Sequence, residues 1–447
     1  MLNCRTLRRA LLGTVVAAAL TPFSTAASTV YVAPGGAGDG TAGNPFGRIA
    51  DALAVAVAGD TVLLKPGTYA ERLRTVRGGA SSAVRLVIRA ESDGTAILSS
   101  GTGNVLRVSH PYVTIRGLVV DGQYGPYDAV LVDSAATALV LQYLEVKRSS
   151  KDCIDLRAPV NVVIERSVIH RCLNATNGRT DAHGIVAGAV RNLVVRDTKI
   201  HTFSGDAIQL DPGRTAPGWD RITIDRCQFW LEPLLTAENG FPAGTVPGEN
   251  ALDTKTLGTA PRATVIVRQT EAWGFRGGLI SNMAAFNIKE NVDATFDGVT
   301  VSRSEIAFRL RGPGPSGGAW ARVQNAVVYD VGTAVRYEDN IERVQVWNTT
   351  LGSAIPRFFR AASSTSAGLD VRNVLFLGSS STMPGGLGNV QATAAFFVNA
   401  AAHDYRLAPG SPAIEAGVSI TSVAKDRIGV SRPQGAYWDV GAYEYVH

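Results

Sequence analysis

A short β-type phrase recurs through the middle of the chain: Val113-Thr-Ile-Arg, Asn161-Val-Val-Ile, Asn192-Leu-Val-Val, Arg221-Ile-Thr-Ile, Thr264-Val-Ile-Val and Arg343-Val-Gln-Val. Each copy is rich in β-branched residues, and Gly, Asn and Asp separate the copies, as expected for strands joined by tight turns. A second apolar pair follows each copy within a few residues. The pattern predicts several short strands per repeat and no long helices.

A second phrase lies between these copies and reads small residue, apolar, any residue, apolar, polar. Aligned on its first apolar residue, it gives Leu106, Val130, Ile154, Ile185, Ile208, Leu252, Leu279, Phe308 and Val335. Most spacings fall in the twenties, which is typical of a β-solenoid, whereas a propeller blade needs about 40 residues. The leucine-rich-repeat consensus is missing. We therefore predict an all-β, right-handed parallel β-helix of about ten coils.

Residues 1–26 have the pattern of a secretory signal, with three arginines, an apolar run and the small-residue sequence Ser24-Thr25-Ala26. We predict an N-terminal cap with the first coils over 27–100, including a capping helix from Ile49 to Ala58. The β-helix then covers 101–395, with a rim loop at 230–249, and a C-terminal cap covers 396–447. We expect a monomer that is secreted, or periplasmic, once the signal is removed.

The composition excludes several classes of protein. Of the 447 residues, 45% are hydrophobic and 18% are charged, which is too apolar for a disordered chain. No apolar run after residue 30 is long enough to span a membrane. Loss of the signal's three arginines lowers the net charge from +5 to +2, which gives no indication of a nucleic-acid partner. Cys153, Cys172 and Cys227 remain, so at most one disulfide is expected.

Stacking of the coils converts the alignment into columns, because neighbouring strands lie about 4.8 Å apart. Side chains three residues after the anchor should point outward: Ser109, Asp133, Arg157, Gly188, Asp211, Lys255, Asn282, Arg311 and Glu338. A polar column also lies two residues before the anchor: Asn104, Asp128, Asp152, His183, Asp206 and Asn250. These columns predict a polar groove along one sheet, with its centre near coils 183 to 282.

Elimination of a uronate polysaccharide needs a base for the C5 proton and a group that neutralises the sugar carboxylate. Lys255 lies on an outward position at the centre of the groove, and Arg276 follows on what the alignment makes the next coil. We therefore predict that Lys255 is the catalytic base. His183, Arg309 and Arg311 of the same groove are predicted to bind an acidic polysaccharide.

Here the chain resembles known families. The opening phrase through Gly67-Thr-Tyr69 looks like the start of secreted β-helix polysaccharide lyases, especially the family 9 pectate lyases. Those enzymes use a lone Lys and an aspartate cluster that binds calcium, which here implies Asp181, Asp206 and Asp211. The Lys255 and Arg276 pair resembles the base and acid of family 6 lyases, which include chondroitinase B and alginate lyases. In that family the calcium ligands would be Glu249 and Asn250.

Other readings of the same residues stay open. The polar column fits a structural ladder at the turns, the outward charges fit a solvated face, and Lys255 fits an ion pair with Asp211 or Asp253. A β-helix glycoside hydrolase needs two carboxyl groups, which aspartates of the groove can supply. A C5-epimerase and a non-catalytic carbohydrate-binding β-helix are further alternatives. Aromatic residues in or near loops that can flank the groove are Tyr124, Tyr127, Trp230, Phe241 and Trp273.

Overall fold

The computed structural model describes residues 27–175, 181–213, 218–257, 261–314, 318–362, 368–378 and 383–446. The predicted signal, residues 1–26, lies outside the described residues. Three parallel sheets, here called A, B and C, wind around one axis, and successive coils add one strand to each sheet. The chain is thus an all-β parallel β-helix, as predicted, and it has about 11 coils where about ten were expected.

The strands of sheet A are Thr29–Val32, Thr61–Leu64, Leu86–Ala90, Val113–Arg116, Val140–Gln142, Val160–Glu165, Arg191–Arg196, Asp220–Asp225, Ala263–Arg268, Val292–Asp297, Trp320–Gln324, Arg343–Trp347 and Gly368–Arg372. Those of sheet B are Gly67–Tyr69, Ala96–Ser99, Leu118–Gly125, Glu145–Ser149, Val168–Cys172, Lys199–Phe203, Gln228–Trp230, Glu271–Trp273, Thr300–Ser302, Val327–Val328, Thr350–Leu351, Leu375–Leu377 and Val390–Ala392. Those of sheet C are Leu73–Arg74, Leu106–Val108, Val130–Val132, Ile154–Arg157, Ile185–Gly188, Ile208–Asp211, Leu252–Thr254, Ala284–Ile288, Ser304–Arg311, Val331–Glu338 and Phe359–Ala361.

The core consists of apolar columns that run along the axis. In sheet A, one column is formed by the in-register residues Ile164, Val195, Ile224, Val267, Phe296, Val323 and Val346, all fully buried or nearly so. Side chains alternate along each strand, so every second residue joins such a column and its neighbours face outward. The six copies of the first sequence phrase all lie in sheet A.

The corner between sheets A and B is tight because one residue there adopts a left-handed backbone. On successive coils this residue is Asp197, Arg226 and Gln269, with φ of 50°, 51° and 46°. Two coils later Asn325 occupies the same corner at 52°. Gly, Asn and Asp accept this conformation most readily, which accounts for the recurrence of such residues between the predicted strands.

Both ends of the β-helix are covered. Helix Ile49–Val55 buries Ile49, Ala52 and Leu53 over the first coil, and it ends before the predicted Ala58. At the other end, antiparallel strands Phe397–Asn399 and Asp404–Leu407 pack with the 3₁₀ helices Ala394–Phe396 and Ala400–Ala402. A third 3₁₀ helix is Thr421–Val423.

Of the three cysteines after residue 26, two form a disulfide and one is free, in agreement with the expected maximum of one disulfide. Cys153 and Cys172 form a disulfide that joins the residue before sheet C strand Ile154–Arg157 to the last residue of sheet B strand Val168–Cys172, with Cα atoms 5.6 Å apart. Cys227 is buried and free. Within the described ranges, no helix is long and apolar enough to cross a bilayer.

An outward-facing ladder of rings on sheet B makes stability depend on pH. His201 stacks between His170 and Trp230, at ring-centroid distances of 5.0 and 4.3 Å. Burial lowers the pKa of His201 to about 4, and positive charge at His170, Arg171 and Lys199 adds to this.

We therefore expect acid to destabilise the fold partly through His201. Between pH 6.5 and about 4 the unfolded chain binds a proton at this residue that the folded protein does not bind, so stability falls as the pH drops. His201→Phe keeps a stacking ring and removes the titration. Thermal unfolding at pH 7 and pH 4.5 should show a smaller loss of Tm in the variant, and an equal loss in both proteins would contradict the assignment.

Candidate active site on sheet C

The outward row of sheet C is predominantly cationic at its centre. Strand pairing aligns Arg157, Gly188 and Asp211 on successive coils, and Arg311 with Glu338. Between them Lys255 and Lys289 directly follow the paired strands of their own coils and continue the same register. Three consecutive coils thus present Lys255, Lys289 and Arg311 at steps of about 4.8 Å. An acidic polymer laid along the axis would meet positive charge over this stretch.

Lys255 directly follows strand Leu252–Thr254 and is fixed through its backbone. Its N–H donates to the Leu210 carbonyl at 2.8 Å, and its carbonyl accepts from the Trp219 indole at 2.8 Å. Its Nζ donates to Oε1 of Gln209 at 2.8 Å. Lys255 forms no ion pair within the described residues, so the alternative of a pair with Asp211 or Asp253 is not what the structure shows.

Lys289, which the sequence alignment missed, neutralises the aspartate beside Lys255. Its Nζ lies 2.8 Å from Oδ2 of Asp253, and Nδ2 of Asn287 donates to Oδ1 of the same carboxylate at 2.8 Å. Burial raises the pKa of Asp253, while positive charge at Lys289 and Lys255 acts in the opposite direction. The Asp253 carboxylate is therefore bound by Lys289 and Asn287. The amino group of Lys255 contacts only the neutral side chain of Gln209 among the described residues.

Lys289 was missed because Leu279 is the wrong anchor. Phe286, not Leu279, pairs with Leu252 on one side and Phe308 on the other, and Leu279 is exposed. The correct signal was present in the sequence, since Ala285-Phe-Asn-Ile-Lys289 fits the small–apolar–any–apolar–polar phrase fully. Asn282 consequently does not lie in the outward row.

Arg276 does not lie beside Lys255, which corrects the predicted pairing. It lies in the turn between strands Glu271–Trp273 and Ala284–Ile288, at the end of sheet C opposite to Lys255. There its guanidinium pairs with Asp330 at 2.9 Å. The misplaced anchor is the cause, because it put Arg276 just before a sheet C strand that in fact begins at Ala284.

Arg309 and Arg311 project outward as predicted and form a network around one carboxylate. Arg309 and Arg336 contact the two oxygens of Glu338 at 2.8 and 2.7 Å. Arg311 lies 3.3 Å from Glu338 and 2.8 Å from Asp339. Three guanidinium groups share two carboxylates, so the network keeps excess positive charge on this face.

His183 belongs to a hydrogen-bonded ladder at the turn between sheets B and C. Its N–H donates to Oδ1 of Asp152 at 3.0 Å, and its Nδ1 accepts from the Asp206 N–H at 2.8 Å. Oδ1 of Asp206 in turn accepts from the N–H and Nδ2 of Asn250, at 3.1 and 2.8 Å. Oδ1 of Asn250 accepts from the Ala284 N–H at 3.1 Å. The column is thus a structural ladder over these coils.

The ladder holds His183 neutral with its proton on Nε2. Burial lowers the pKa of His183 to about 4; negative charge at Asp181 opposes this and positive charge at Lys255 adds to it. Because Nδ1 accepts a backbone hydrogen bond, Nε2 carries the proton and is free to donate. Gly205 permits this arrangement, since a Cβ there would lie 2.5 Å from Nδ1 of His183.

The predicted calcium ligands do not fit a calcium site in the described part of the chain. Asp181 is exposed, Asp206 is buried in the ladder, and Oδ1 of Asp211 accepts from the Gly213 N–H at 2.8 Å. Among the described residues, no three His, Cys, Asp or Glu side chains come together as a metal cluster. Burial, with negative charge at Asp253 and Glu249, raises the pKa of Asp206 well above its usual value.

The segment after Trp230 folds back along the turns that follow the sheet B strands, where Asn239 donates to Oγ of Ser150 at 2.9 Å. Phe241 packs in an apolar cluster with Leu173 and Leu234, and Glu238 accepts a hydrogen bond from the Tyr124 hydroxyl. Trp230 itself stacks on sheet B, away from the groove. The predicted aromatic flank is therefore mostly packing, with Tyr127 exposed.

Known structures share this fold. A pectate lyase, Pel9A, superposes with a TM-score of 0.50 at 15% identity, covering 94% of this chain and 97% of its own. An alginate lyase from Paenibacillus sp. str. FPU-7 gives a TM-score of 0.51 at 18% identity, covering 71% and 99%. A Yersinia enterocolitica family 28 exopolygalacturonase gives 0.46 at 13% identity, covering 77% and 78%. No family model and no curated protein matches the sequence. At these identities the likenesses to the pectate lyase and the alginate lyase show the parallel β-helix fold.

Proposed function

We propose that the protein is a polysaccharide lyase that cleaves a uronate-containing acidic polysaccharide by β-elimination, with Lys255 as the base. The observation that carries the proposal is the setting of Lys255: an outward lysine whose amino group contacts the neutral amide of Gln209, in a row of cations whose neighbouring aspartate is paired with Lys289. The disulfide between Cys153 and Cys172 supports action outside the cytoplasm.

The reaction divides among the residues of the groove. The neutral amine of Lys255 takes the C5 proton, the C5–H electron pair forms the C4–C5 double bond, and the C4–O bond breaks. The leaving oxygen then takes a proton from the Lys255 ammonium or from water. A lysine acts as a base only in its neutral form, and the ion pair between Lys289 and Asp253 keeps that carboxylate from pairing with Lys255.

Neutralisation of the substrate carboxylate is assigned to side chains of the protein. Arg309 and Arg311 offer charged N–H donors, and Nε2–H of His183 offers a neutral one. Charge-assisted hydrogen bonds to the carboxylate lower the barrier to C5 deprotonation because they stabilise the charge that develops there. A hydrolase would instead need two available carboxyl groups, and two of the four aspartates that could supply them, Asp253 and Asp206, are held by Lys289 and Asn250.

The experiment that tests the proposal is a screen of pectate, alginate and chondroitin-type polysaccharides for ultraviolet-absorbing unsaturated products. Absorbance that rises with the number of chain cuts supports elimination. New reducing ends without absorbance would indicate a hydrolase, and C5 proton exchange without cleavage would indicate an epimerase. Binding without turnover would indicate a carbohydrate-binding β-helix.

Removal of metal ions should leave most of the activity. We expect the chelated protein, and the variant Asp206→Asn, to keep activity within about threefold of the untreated protein, because the ladder and not a cation holds Asp206. The measurement is the initial rate with chelator, and again after calcium is restored. Loss of activity on chelation and recovery with calcium would return Asp181, Asp206 and Asp211 to the role of ligands.

A further inference from the structure

The ladder of rings on sheet B stops at one particular coil. His170, His201, Trp230 and Trp273 stand in register on four successive coils, and the two tryptophan rings are 5.0 Å apart and nearly parallel. The next residue in register is Ser302, and the one after it is Tyr329. Ser302 therefore interrupts the ladder: it stands between two aromatic residues, Trp273 and Tyr329, at a position without a ring.

The missing ring leaves a cavity. Two coil spacings separate Trp273 from Tyr329, or about 10 Å between their backbone positions. This space opens as a cavity of about 440 Å³, to which Trp273, Ser302 and Tyr329 contribute. The volume is in the range of pockets that hold small ligands. The Tyr329 ring is itself backed by His403, at a centroid distance of 4.0 Å.

Polar groups of both charges line the same cavity. Arg303 is half exposed, and its nearest carboxylate, Glu232, is 3.5 Å away. Asp330 is held by Arg276, and Glu271 accepts from Gln228 at 3.1 Å. A guanidinium donor and two carboxylate acceptors around an aromatic wall match the hydroxyl groups of a sugar, which both donate and accept.

We propose that this cavity binds one pyranose ring of a polysaccharide, with the apolar face of the sugar packed on Trp273 in place of the missing ring. The C–H groups of one sugar face pack on an aromatic face, and the hydroxyl groups reach Arg303, Asp330 and Glu271 at the rim. A flat aromatic ligand would fill the gap but would leave these rim groups without partners. The site lies on sheet B, outside the sheet C groove, and the proposal concerns binding alone, so it does not depend on the chemistry of Lys255.

The test uses the full chain with Lys255→Ala, which prevents turnover. Calorimetric titration with a galacturonate trisaccharide and with a glucose trisaccharide should detect binding that Ser302→Phe abolishes, because the new ring fills the gap. Trp273→Ala removes the wall and should weaken the same binding by at least about tenfold. Thermal unfolding checks that both variants are folded, and Lys199→Ala, on the same sheet, serves as the control.

The two trisaccharides separate an acidic from a neutral sugar as the ligand, and binding of either supports the site. Unchanged affinity and stoichiometry in both folded variants would overturn the proposal. Failure of both trisaccharides to bind would also overturn it. The ultraviolet screen of the wild-type protein is independent of this result, so failure of the sheet B site and failure of the lyase proposal are distinguishable.

Discussion

Lys255→Ala should lower kcat by at least about 10²-fold, the usual scale for loss of a general base. The fold should be almost unaffected, because the fixed parts of Lys255 are its backbone N–H and carbonyl, which alanine keeps. The measurement is the initial rate of product formation together with thermal unfolding of the same preparation. KM should change less than kcat, because the base acts on the proton that is transferred in the transition state and contributes little to substrate binding.

Lys199→Ala is the matched control, an exposed lysine on sheet B that should leave kcat unchanged. Lys255→Arg tests charge separately from basicity, since the guanidinium keeps the positive charge but does not deprotonate. We expect it to be as inactive as the alanine variant. Full activity in either variant of Lys255 would exclude it as the base.

Lys289→Met should destabilise the protein by about 3 kcal/mol, because it leaves the buried carboxylate of Asp253 without its cation. Asp253 is only 4% exposed, so water cannot replace the lost partner. Denaturant unfolding at neutral pH measures the change. Added Asp253→Asn should recover most of the loss, since the amide oxygen still accepts from Asn287.

The size of the loss should also depend on pH. Burial raises the pKa of Asp253, so in Lys289→Met the carboxyl can take up a proton as the pH falls, and the single variant should approach the double variant in stability. Lys199→Met, with no buried partner, should change stability by less than about 0.5 kcal/mol. A Lys289→Met protein as stable as the wild type at neutral pH would show that the ion pair contributes nothing.

The architecture was predictable because each column of stacked side chains requires the same type of residue once per coil, so residue types recur at a regular spacing in the sequence. Inward residues such as Ile164, Val195 and Ile224 must be apolar on every coil, and the corner at Asp197 needs a left-handed residue. These constraints repeat, so a single sequence exposes them. The outward position of Lys255 followed from the same alternation.

The composition of the site was less predictable, because turn length is not periodic. Ten residues separate Trp273 from Ala284. Because of this long turn, the alignment took Leu279 as the start of the strand, so Lys289 was not recognised as an outward residue and Arg276 was assigned to the groove. The ladder shows a different difficulty. Asp206 has the residue type of a calcium ligand, but its Oδ1 accepts from the backbone N–H and the side-chain amide of Asn250, a contact that the path of the turn determines.

The central claim, cleavage by elimination, is tested most directly by the mass of the products formed in heavy-oxygen water. Elimination breaks the C4–O bond without adding water, so the account predicts products that contain no heavy oxygen from the cleavage step and that absorb in the ultraviolet. Hydrolysis would add one heavy oxygen at each cut. Products that carry the label and lack the absorbance would contradict the account.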